Sequence, residues 1–107
     1  MIYLCSPYSN NPEANYKAVL SYVEQHLKTT GNILFSPIVY GHTIALHSCN
    51  EQINTDFESW KTFDLEMLEK SDEVWVLMLD GWTESVGVKQ EIEYAKKLGK
   101  IIRYIEC

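Results

Sequence analysis

Residues 73–105 read EVWVLMLDGWTESVGVKQEIEYAKKLGKIIRYI, and this stretch decides the predicted fold. Residues 73–79 form a near-continuous apolar run, which is typical of a buried strand. A polar turn follows, and Ser85 can cap a helix whose apolar residues recur at helical spacing as far as Gly99. Residues 101–105 are a further apolar strand. Apolar strands that alternate with helices predict a parallel sheet covered on both faces.

The N-terminal half repeats this alternation. Residues 2–5 (IYLC) predict a buried strand, and residues 33–35 predict a second one. Between them Asn11 is a helix N-cap with proline directly after it, and Gly31 supplies the end of that helix.

The middle of the chain carries a weaker pattern. Residues 38–46 are interpreted as a loop that passes into a short helix, and residues 50–55 as loop. Aromatic and apolar residues then predict a helix from about 56 to 70. We predict one domain over residues 1–107, an α/β fold with a doubly wound parallel sheet of four to five strands in Rossmann- or flavodoxin-like order.

Composition excludes several classes of protein. The 107 residues are 46% apolar with a net charge of −6, which excludes whole-chain disorder and argues against a nucleic-acid polymer as partner. No apolar run approaches the roughly 20 residues of a membrane span, and the N-terminus lacks the basic segment of a signal peptide. Cys5, Cys49 and Cys107 are widely spaced, which predicts neither a disulfide framework nor a zinc site. We expect a cytoplasmic protein, and interpret Cys5 as a small buried hydrophobe.

Two carboxylates fall on the apolar side of predicted helices. Asp64 lies one turn after Trp60 in an apolar stripe, and Glu91 lies between Val88 and Ala95 in another. Either residue alone could be a boundary side chain that reaches water. Together, two carboxylates across one pocket are the equipment for cleaving a glycosidic bond.

Further candidates lie at the carboxyl ends of the predicted strands, where doubly wound sheets bind ligands. These residues are Ser6, Pro7, Tyr8, Asp80, Gly81, Trp82, Ser85 and Gly87. Ser85 and Gly87 open a helix whose free amides can hold a phosphate, although a plain capped turn explains them as well. Trp82 could stack on a base or pack in the core. His42 is interpreted as a polar-surface or substrate-contact residue, and its five-residue spacing from His47 is a poor match to a metal site.

These residues carry a resemblance to a known family. The segments that carry it are Tyr3-Leu4-Cys5-Ser6-Pro7, Phe63-Asp64-Leu65 with Asp72, and Ser85-x-Gly87-x-x-x-Glu91-x-x-x-Ala95 with Gly99. They resemble the nucleoside 2-deoxyribosyltransferase superfamily, which includes the 2′-deoxynucleoside 5′-phosphate N-hydrolases. Ser-Pro-Tyr-Ser, Phe-Ser-Pro-Ile and Leu-Asp-Gly-Trp-x-x-Ser-x-Gly-Val are similar to a small branch found in bacteria and phages. The similarity spans nearly the whole chain.

The resemblance implies a role for each matching residue. Glu91 would be the nucleophile that attacks the anomeric carbon of a deoxyribose, Asp64 its acid/base partner, and Tyr3 the residue that orients Glu91. Ser85 and Gly87 would lie beside the sugar or phosphate. No metal or redox cofactor would be needed. Members usually work as dimers or larger assemblies.

Two features depart from the family pattern. The loop after the first strand lacks the glycine- and arginine-rich phosphate grip of the monophosphate hydrolases. The chain also stops at Cys107, which leaves little room for a C-terminal residue donated across a dimer.

The expected function is therefore cleavage or exchange of the N-glycosidic bond of a (deoxy)nucleoside or its 5′-monophosphate. The alternatives are a non-catalytic module that senses or sequesters a nucleotide, and an α/β scaffold for protein contacts. We also expect a homodimer or larger, because a second subunit would deepen the shallow pocket of so small a domain. Phe57, Trp60 and residues 38–47 are its candidate interface.

Overall fold

A computed structural model describes residues 1–30, 33–47 and 57–106, and of residues 45–47 and 57–60 only the backbone. In this part of the chain four strands and four helices follow one another as β1 (Ile2–Cys5), α1 (Pro12–Thr29), β2 (Leu34–Phe35), α2 (Pro37–His47), α3 (Phe57–Lys70), β3 (Glu73–Leu77), α4 (Val86–Lys97) and β4 (Ile101–Ile105).

The four strands form one sheet in the order β2-β1-β3-β4, and every neighbouring pair is parallel. The chain moves from β1 to one side for β2 and then to the other side for β3 and β4. This is the doubly wound arrangement that the sequence predicts, with four strands. The winding reverses between β1 and β3, and a ligand crevice is expected beyond the carboxyl ends of those two strands.

Alternation along β1 divides its side chains between two cores. Tyr3 and Cys5 point to one face, where they pack with residues of α3 and α4 such as Leu68 and Ala95. Leu4 points to the other face and packs against Val19 of α1. The first face is the one that also holds the two inward carboxylates.

Several element boundaries differ from those predicted. α2 begins at Pro37, where a loop was expected, because proline favours the first helical position and Ser36 Oγ accepts a hydrogen bond from the amide of Val39 at 3.1 Å. β3 ends at Leu77 rather than at residue 79, because the amide of Leu79 turns back to the carbonyl of Leu77 at 2.9 Å. The expected helix stop at Gly31 and the loop at 50–55 lie outside the described residues.

α4 ends as predicted. Gly99 has a φ of +71°, a left-handed conformation that glycine adopts without strain, and β4 begins two residues later. Among the described residues no helix is both long and apolar enough to cross a membrane.

Candidate active site

The three residues with predicted catalytic roles meet on the α3/α4 face of the sheet. The phenol of Tyr3, on β1, donates a hydrogen bond to Glu91 Oε2 on α4. Glu91 is 4% exposed and Asp64, on α3, is 6% exposed. Asp64 is close enough to act electrostatically on both Tyr3 and Glu91. Two helices and the switch-point strand therefore bring together two buried carboxyl groups and a hydrogen-bond donor.

Burial makes both carboxyl groups weak acids. It raises the pKa of Asp64 to about 7. It also raises the pKa of Glu91 to about 8, and the charge of Asp64 adds to the rise, while the hydrogen bond that Glu91 accepts from Tyr3 opposes it. Near neutral pH the pair therefore binds about one proton, and the higher pKa of Glu91 favours the proton there.

Cys5 belongs to this site, although the sequence indicated only a buried hydrophobe. Its side chain is fully buried and lies on the same face of β1 as Tyr3. The charge of Glu91 adds to the rise that burial causes in the pKa of the Cys5 thiol, so the two side chains are close enough to act on each other electrostatically. Glu91 lies in a helix at the far end of the sequence, so no local pattern could reveal this proximity. The only available signal was the two-residue spacing from Tyr3 along a strand.

The loops after β1 and β3 touch each other at the carboxyl edge of the sheet. Asn10 Nδ2 donates to the carbonyl of Asp80 at 3.2 Å. The buried Asn15 braces the first loop by donating to Asn10 Oδ1 at 2.8 Å and to the carbonyl of Tyr8 at 3.2 Å. Gly81, with a φ of +90°, packs directly against the Asn10 side chain. The segments that carry Tyr8, Asp80 and Gly81 therefore form one rim.

The start of this rim contains a buried polar group. Ser6 and Pro7 are buried directly after β1. Ser6 Oγ has no hydrogen-bond partner among the described residues. Because a buried hydroxyl without a partner is costly, Ser6 is a suitable group to meet a polar ligand.

His42 lies on α2 and joins the rim through Tyr8. The Tyr8 hydroxyl and His42 Nδ1 are 2.6 Å apart, and the imidazole stacks on Tyr16 with ring centroids 4.0 Å apart. His42 Nε2 lies 3.6 Å from Glu13 Oε2, beyond hydrogen-bond distance. The histidine thus fastens α2 to α1 beside the site.

The residues that the sequence predicted as ligand contacts after β3 have packing and capping roles in the structure or lie in the first turn of α4. Trp82 packs against the core, and its ring centroid lies 5.7 Å from that of Tyr104. Of the two roles considered for Trp82, stacking on a base or packing in the core, this position agrees with packing. Ser85 Oγ accepts the amide of Val88 at 3.3 Å and so caps α4. Gly87 lies in the first turn of that helix.

A groove of about 430 Å³ lies elsewhere, on the outer surface between α3 and α4. Its lining residues are Lys61, Leu65, Gln90, Glu93, Tyr94 and Lys97. It contains neither member of the carboxyl pair. Among residues 1–30, 33–47 and 57–106 no group of histidine, cysteine and carboxylate side chains could hold a metal ion.

Comparison with known proteins gives a family and a fold. Residues 1–106 match the model of a family described as a domain of unknown function, DUF1937. No curated protein matches the sequence at a significant level.

Two solved structures are similar over 98% of the chain. One, from Leishmania mexicana, is described as a 2-desoxiribosyltransferase and has 19% identity and a TM-score of 0.66; the chain spans 63% of it. The other is a 2-deoxyribosyltransferase from Bacillus psychrosaccharolyticus, with 29% identity and a TM-score of 0.64, and the chain spans 71% of it. These matches confirm the resemblance to the nucleoside 2-deoxyribosyltransferase superfamily and the α/β fold that it implies.

Proposed function

We propose that this chain, which belongs to the DUF1937 family, cleaves or exchanges the N-glycosidic bond of a deoxynucleoside or its 5′-monophosphate. The observation that carries the proposal is the buried pair of Glu91 and Asp64, with Tyr3 bonded to Glu91, at the switch point of a doubly wound sheet. Both similar structures are described as deoxyribosyltransferases, which supports glycosyl transfer as the type of reaction.

In the first step the Glu91 carboxylate attacks the anomeric carbon and forms a glycosyl ester. The bond between that carbon and the base breaks, its electron pair goes to the base nitrogen, and Asp64 donates a proton there. In the second step water or another base attacks the same carbon, Asp64 takes up a proton, and Glu91 leaves as a carboxylate. Neither step uses a metal ion or a redox cofactor.

The mechanism needs Glu91 ionised and Asp64 protonated, whereas the higher pKa of Glu91 favours the proton there in the free protein. Binding of substrate must therefore transfer the proton of the pair from Glu91 to Asp64. The hydrogen bond that Tyr3 donates to Glu91 favours the charge that this transfer creates. The surrounding core excludes water, which strengthens these interactions.

The rim would hold the rest of the substrate. Ser6 Oγ is buried directly after β1 and lacks a partner among the described residues, so it is suited to a sugar hydroxyl. Ser85 and Gly87 at the N-terminus of α4 are suited to a 5′-phosphate. Because the chain spans 63% of the Leishmania protein, the choice of substrate and acceptor is part of this proposal.

The test is release of free base. The protein is incubated with a panel of deoxynucleosides and their 5′-monophosphates, with and without a second base, and the products are separated by chromatography. We expect free base or an exchanged nucleoside from at least one compound, and neither product from the Glu91→Gln variant. Thermal stabilisation by a compound that is never cleaved would contradict the proposal in favour of a nucleotide-binding module.

A further inference from the structure

The phenol of Tyr8 on the rim ends a chain of three polar side chains that begins at the surface. Its hydroxyl lies 2.6 Å from His42 Nδ1, and Nε2 of the same imidazole lies 3.6 Å from Glu13 Oε2. The Glu13 side chain is 63% exposed, whereas that of His42 is only 11% exposed. A carboxylate, an imidazole and a hydroxyl thus follow one another in the order in which a carboxylate orients an imidazole and the imidazole controls a hydroxyl.

Glu13 decides which nitrogen of His42 carries the proton. Nε2 is buried and has no hydrogen-bond partner among the described residues, and the carboxylate 3.6 Å away attracts a proton to it. In the neutral imidazole Nδ1 then keeps its lone pair, so the Tyr8 hydroxyl is the donor across the 2.6 Å contact. Because its proton is held by His42, the phenol oxygen can only accept a hydrogen bond from a ligand.

Further contacts hold this arrangement in place. The His42 imidazole stacks on the ring of Tyr16 with centroids 4.0 Å apart, and the Tyr16 hydroxyl lies 3.1 Å from Thr43 Oγ1. The carbonyl of Tyr8 accepts a hydrogen bond from the Asn15 side chain at 3.2 Å. The backbone and the hydroxyl of Tyr8 are therefore both fixed before a ligand binds, which is what a selective hydrogen bond requires.

The strand order indicates which part of a nucleoside meets Tyr8. The proposed nucleophile, Glu91, contacts Tyr3 on β1, and the proposed phosphate position at Ser85 follows β3. In the order β2-β1-β3-β4, the other side of β1 is that of β2, which leads into α2 and His42. The base and the 5′ group leave a furanose ring on opposite sides of its oxygen. With the anomeric carbon at Glu91 and the 5′ group toward α4, the base therefore extends toward Tyr8.

We propose that Tyr8 recognises the base: held as an acceptor by His42, it binds an exocyclic amino group, so the substrates are deoxynucleosides of amino bases rather than of their oxo counterparts. This inference rests on the proposed function for the position of the base. An amino group offers an N–H to the phenol oxygen. A carbonyl in the same place would set two acceptors against each other, and both would lose their hydrogen bonds with water. His42 is then a positioning residue that acts through Tyr8.

The experiment compares two pairs of compounds that carry either an amino group or a carbonyl at one ring position of the base. The pairs are deoxyadenosine with deoxyinosine and deoxycytidine with deoxyuridine, each also as the 5′-monophosphate. Base release gives kcat/KM for the wild type, and calorimetry gives Kd for Glu91→Gln, which is expected to bind without cleaving. In each pair that the protein accepts, the amino compound should be favoured about tenfold or more. An equal or reversed preference overturns the proposal.

Three variants show whether the preference comes from Tyr8 and His42. Tyr8→Phe removes the acceptor, so kcat/KM should fall about threefold to tenfold for the amino compound and stay nearly unchanged for the oxo compound. His42→Phe keeps a ring to stack on Tyr16 but frees the Tyr8 proton, so the phenol can donate to a carbonyl and the preference should disappear. Equal losses for both compounds in Tyr8→Phe, or an unchanged preference in His42→Phe, would overturn the proposal.

Tyr16→Phe is the matched control. It removes a hydroxyl that pairs with Thr43 rather than with the imidazole, and it keeps the ring that stacks on His42. It should therefore keep the preference of the wild type. A preference that is lost in Tyr16→Phe as completely as in Tyr8→Phe would show that packing, not the Tyr8 acceptor, selects the base.

A measurement on the wild type needs neither a substrate nor a variant. Long-range ¹H–¹⁵N NMR spectra show which nitrogen of each histidine ring carries the proton, and nuclear Overhauser contacts to the stacked Tyr16 ring identify the signals of His42. At mildly alkaline pH we expect the proton on Nε2 and a hydrogen-bonded, unprotonated Nδ1. A proton on Nδ1 overturns the proposal even if the variants do not fold.

The outcomes separate this inference from the proposed function. Base release without a preference for amino bases overturns the role of Tyr8 and leaves the proposed function standing. If no compound is cleaved but Glu91→Gln and the wild type bind the amino compounds more tightly, and Tyr8→Phe abolishes that difference, the proposed function fails while recognition of the base by Tyr8 stands. If no compound is bound or cleaved, both fail.

Discussion

At the scale of single residues, the proposed chemistry rests on the carboxyl pair of Glu91 and Asp64. A buried carboxylate loses the solvation of water, and a second one beside it adds repulsion, so the folded chain carries an unfavourable arrangement in its core. A structural glutamate in this position would be expected to have a cation beside it. Glu91 instead accepts a hydrogen bond from the neutral phenol of Tyr3, which suits a group that must react.

Replacing Glu91 by glutamine separates a catalytic from a structural role. Glu91→Gln keeps the shape and accepts hydrogen bonds but cannot form the glycosyl ester. We expect base release to fall by orders of magnitude while ligand binding, followed by thermal shift or calorimetry, persists. Stability should be unchanged or rise, because a desolvated acid has been removed.

Asp64→Asn is the companion variant. It should lose about 10²–10⁴-fold in turnover, as expected for an acid/base group. Full turnover in a folded Glu91→Gln would contradict the mechanism. Loss of stability and binding together in that variant would indicate a structural role.

The same pair makes the stability of the protein depend on pH. The pKa of Asp64 rises from 3.8 to about 7 on folding and that of Glu91 from 4.5 to about 8, so between roughly pH 4 and 8 the folded state binds more protons than the unfolded state. The free energy of unfolding should therefore fall as the pH rises through this window and change no further, through these groups, above it. Each unit of pKa difference corresponds to about 1.4 kcal/mol.

The control for this effect is the double variant Asp64→Asn/Glu91→Gln, which keeps every other titrating group. Urea denaturation at a series of pH values should give a flatter curve for the double variant than for the wild type. Parallel curves would show that the pair does not titrate in this window.

At the scale of secondary structure elements, the turn after β3 holds the rim in place. Gly81 has a φ of +90°, and a Cβ atom there would lie 2.7 Å from Asn10 Nδ2. Gly81→Ala combines backbone strain with loss of the contact between Asn10 and Asp80, and should lower the free energy of unfolding by about 2–3 kcal/mol.

Gly99→Ala is the matched control for Gly81→Ala. Gly99 also has a positive φ, of +71°, but a Cβ atom there would meet nothing within 4 Å. Its replacement should lower the free energy of unfolding by only about 1 kcal/mol. If urea denaturation gave both variants the same loss of unfolding free energy, the Asn10 side chain would move away from the added Cβ atom at little cost.

Variants of Ser85, the N-cap of α4, can test phosphate binding separately from folding. Ser85→Asp keeps a capping oxygen for the amide of Val88, so the free energy of unfolding should stay within about 0.5 kcal/mol of the wild type, whereas Ser85→Ala should lose about 1 kcal/mol. The added negative charge should raise KM for a 5′-monophosphate about tenfold and leave KM for the nucleoside nearly unchanged. Equal changes for both substrates would place the phosphate elsewhere.

Local pattern predicted most of these elements, because apolar runs, caps and helical spacing are properties of neighbouring residues. Asn11 and Ser85 occupy the N-cap positions that the sequence indicates, although only the Ser85 side chain accepts a capping hydrogen bond, and α4 ends before Gly99 as predicted. The same spacing places Asp64 and Glu91 on inward faces. The end of β3 was predicted wrongly, because Leu79 is apolar but its amide bonds within a turn. The electrostatic effect of Glu91 on Cys5 and the hydrogen bond between Tyr8 and His42 depend on tertiary packing and carry no local signal.

At the scale of the whole molecule, apolar side chains are exposed beside both edge strands of the sheet, and those beside β2 form one aromatic surface. The apolar composition of β4 predicted burial, but it is an edge strand and Ile101 is 55% exposed. Sequence pattern cannot distinguish a central from an edge strand when both are apolar. On the opposite edge, beside β2, Tyr40 and Phe63 stack with ring centroids 5.2 Å apart and remain 43% and 36% exposed.

The aromatic surface is the better candidate for a dimer interface. Tyr40 lies in the 38–47 segment that the sequence indicated, and Phe63 directly precedes Asp64, so a second copy seated there would also wall the site. We expect light scattering to give about twice the chain mass of 12.4 kDa. Tyr40→Lys should give monomers and raise KM, because the wall of the pocket is lost with the partner.

Ile101→Lys is the control for this prediction, since it places the same charge on another exposed apolar side chain, at the other edge of the sheet. It should leave both the dimer and KM unchanged, because β4 lies away from the aromatic surface in the strand order. A wild-type mass of 12.4 kDa at working concentration would contradict the predicted dimer. Dissociation by Ile101→Lys but not by Tyr40→Lys would move the interface to β4, where a partner would extend the sheet rather than complete the site.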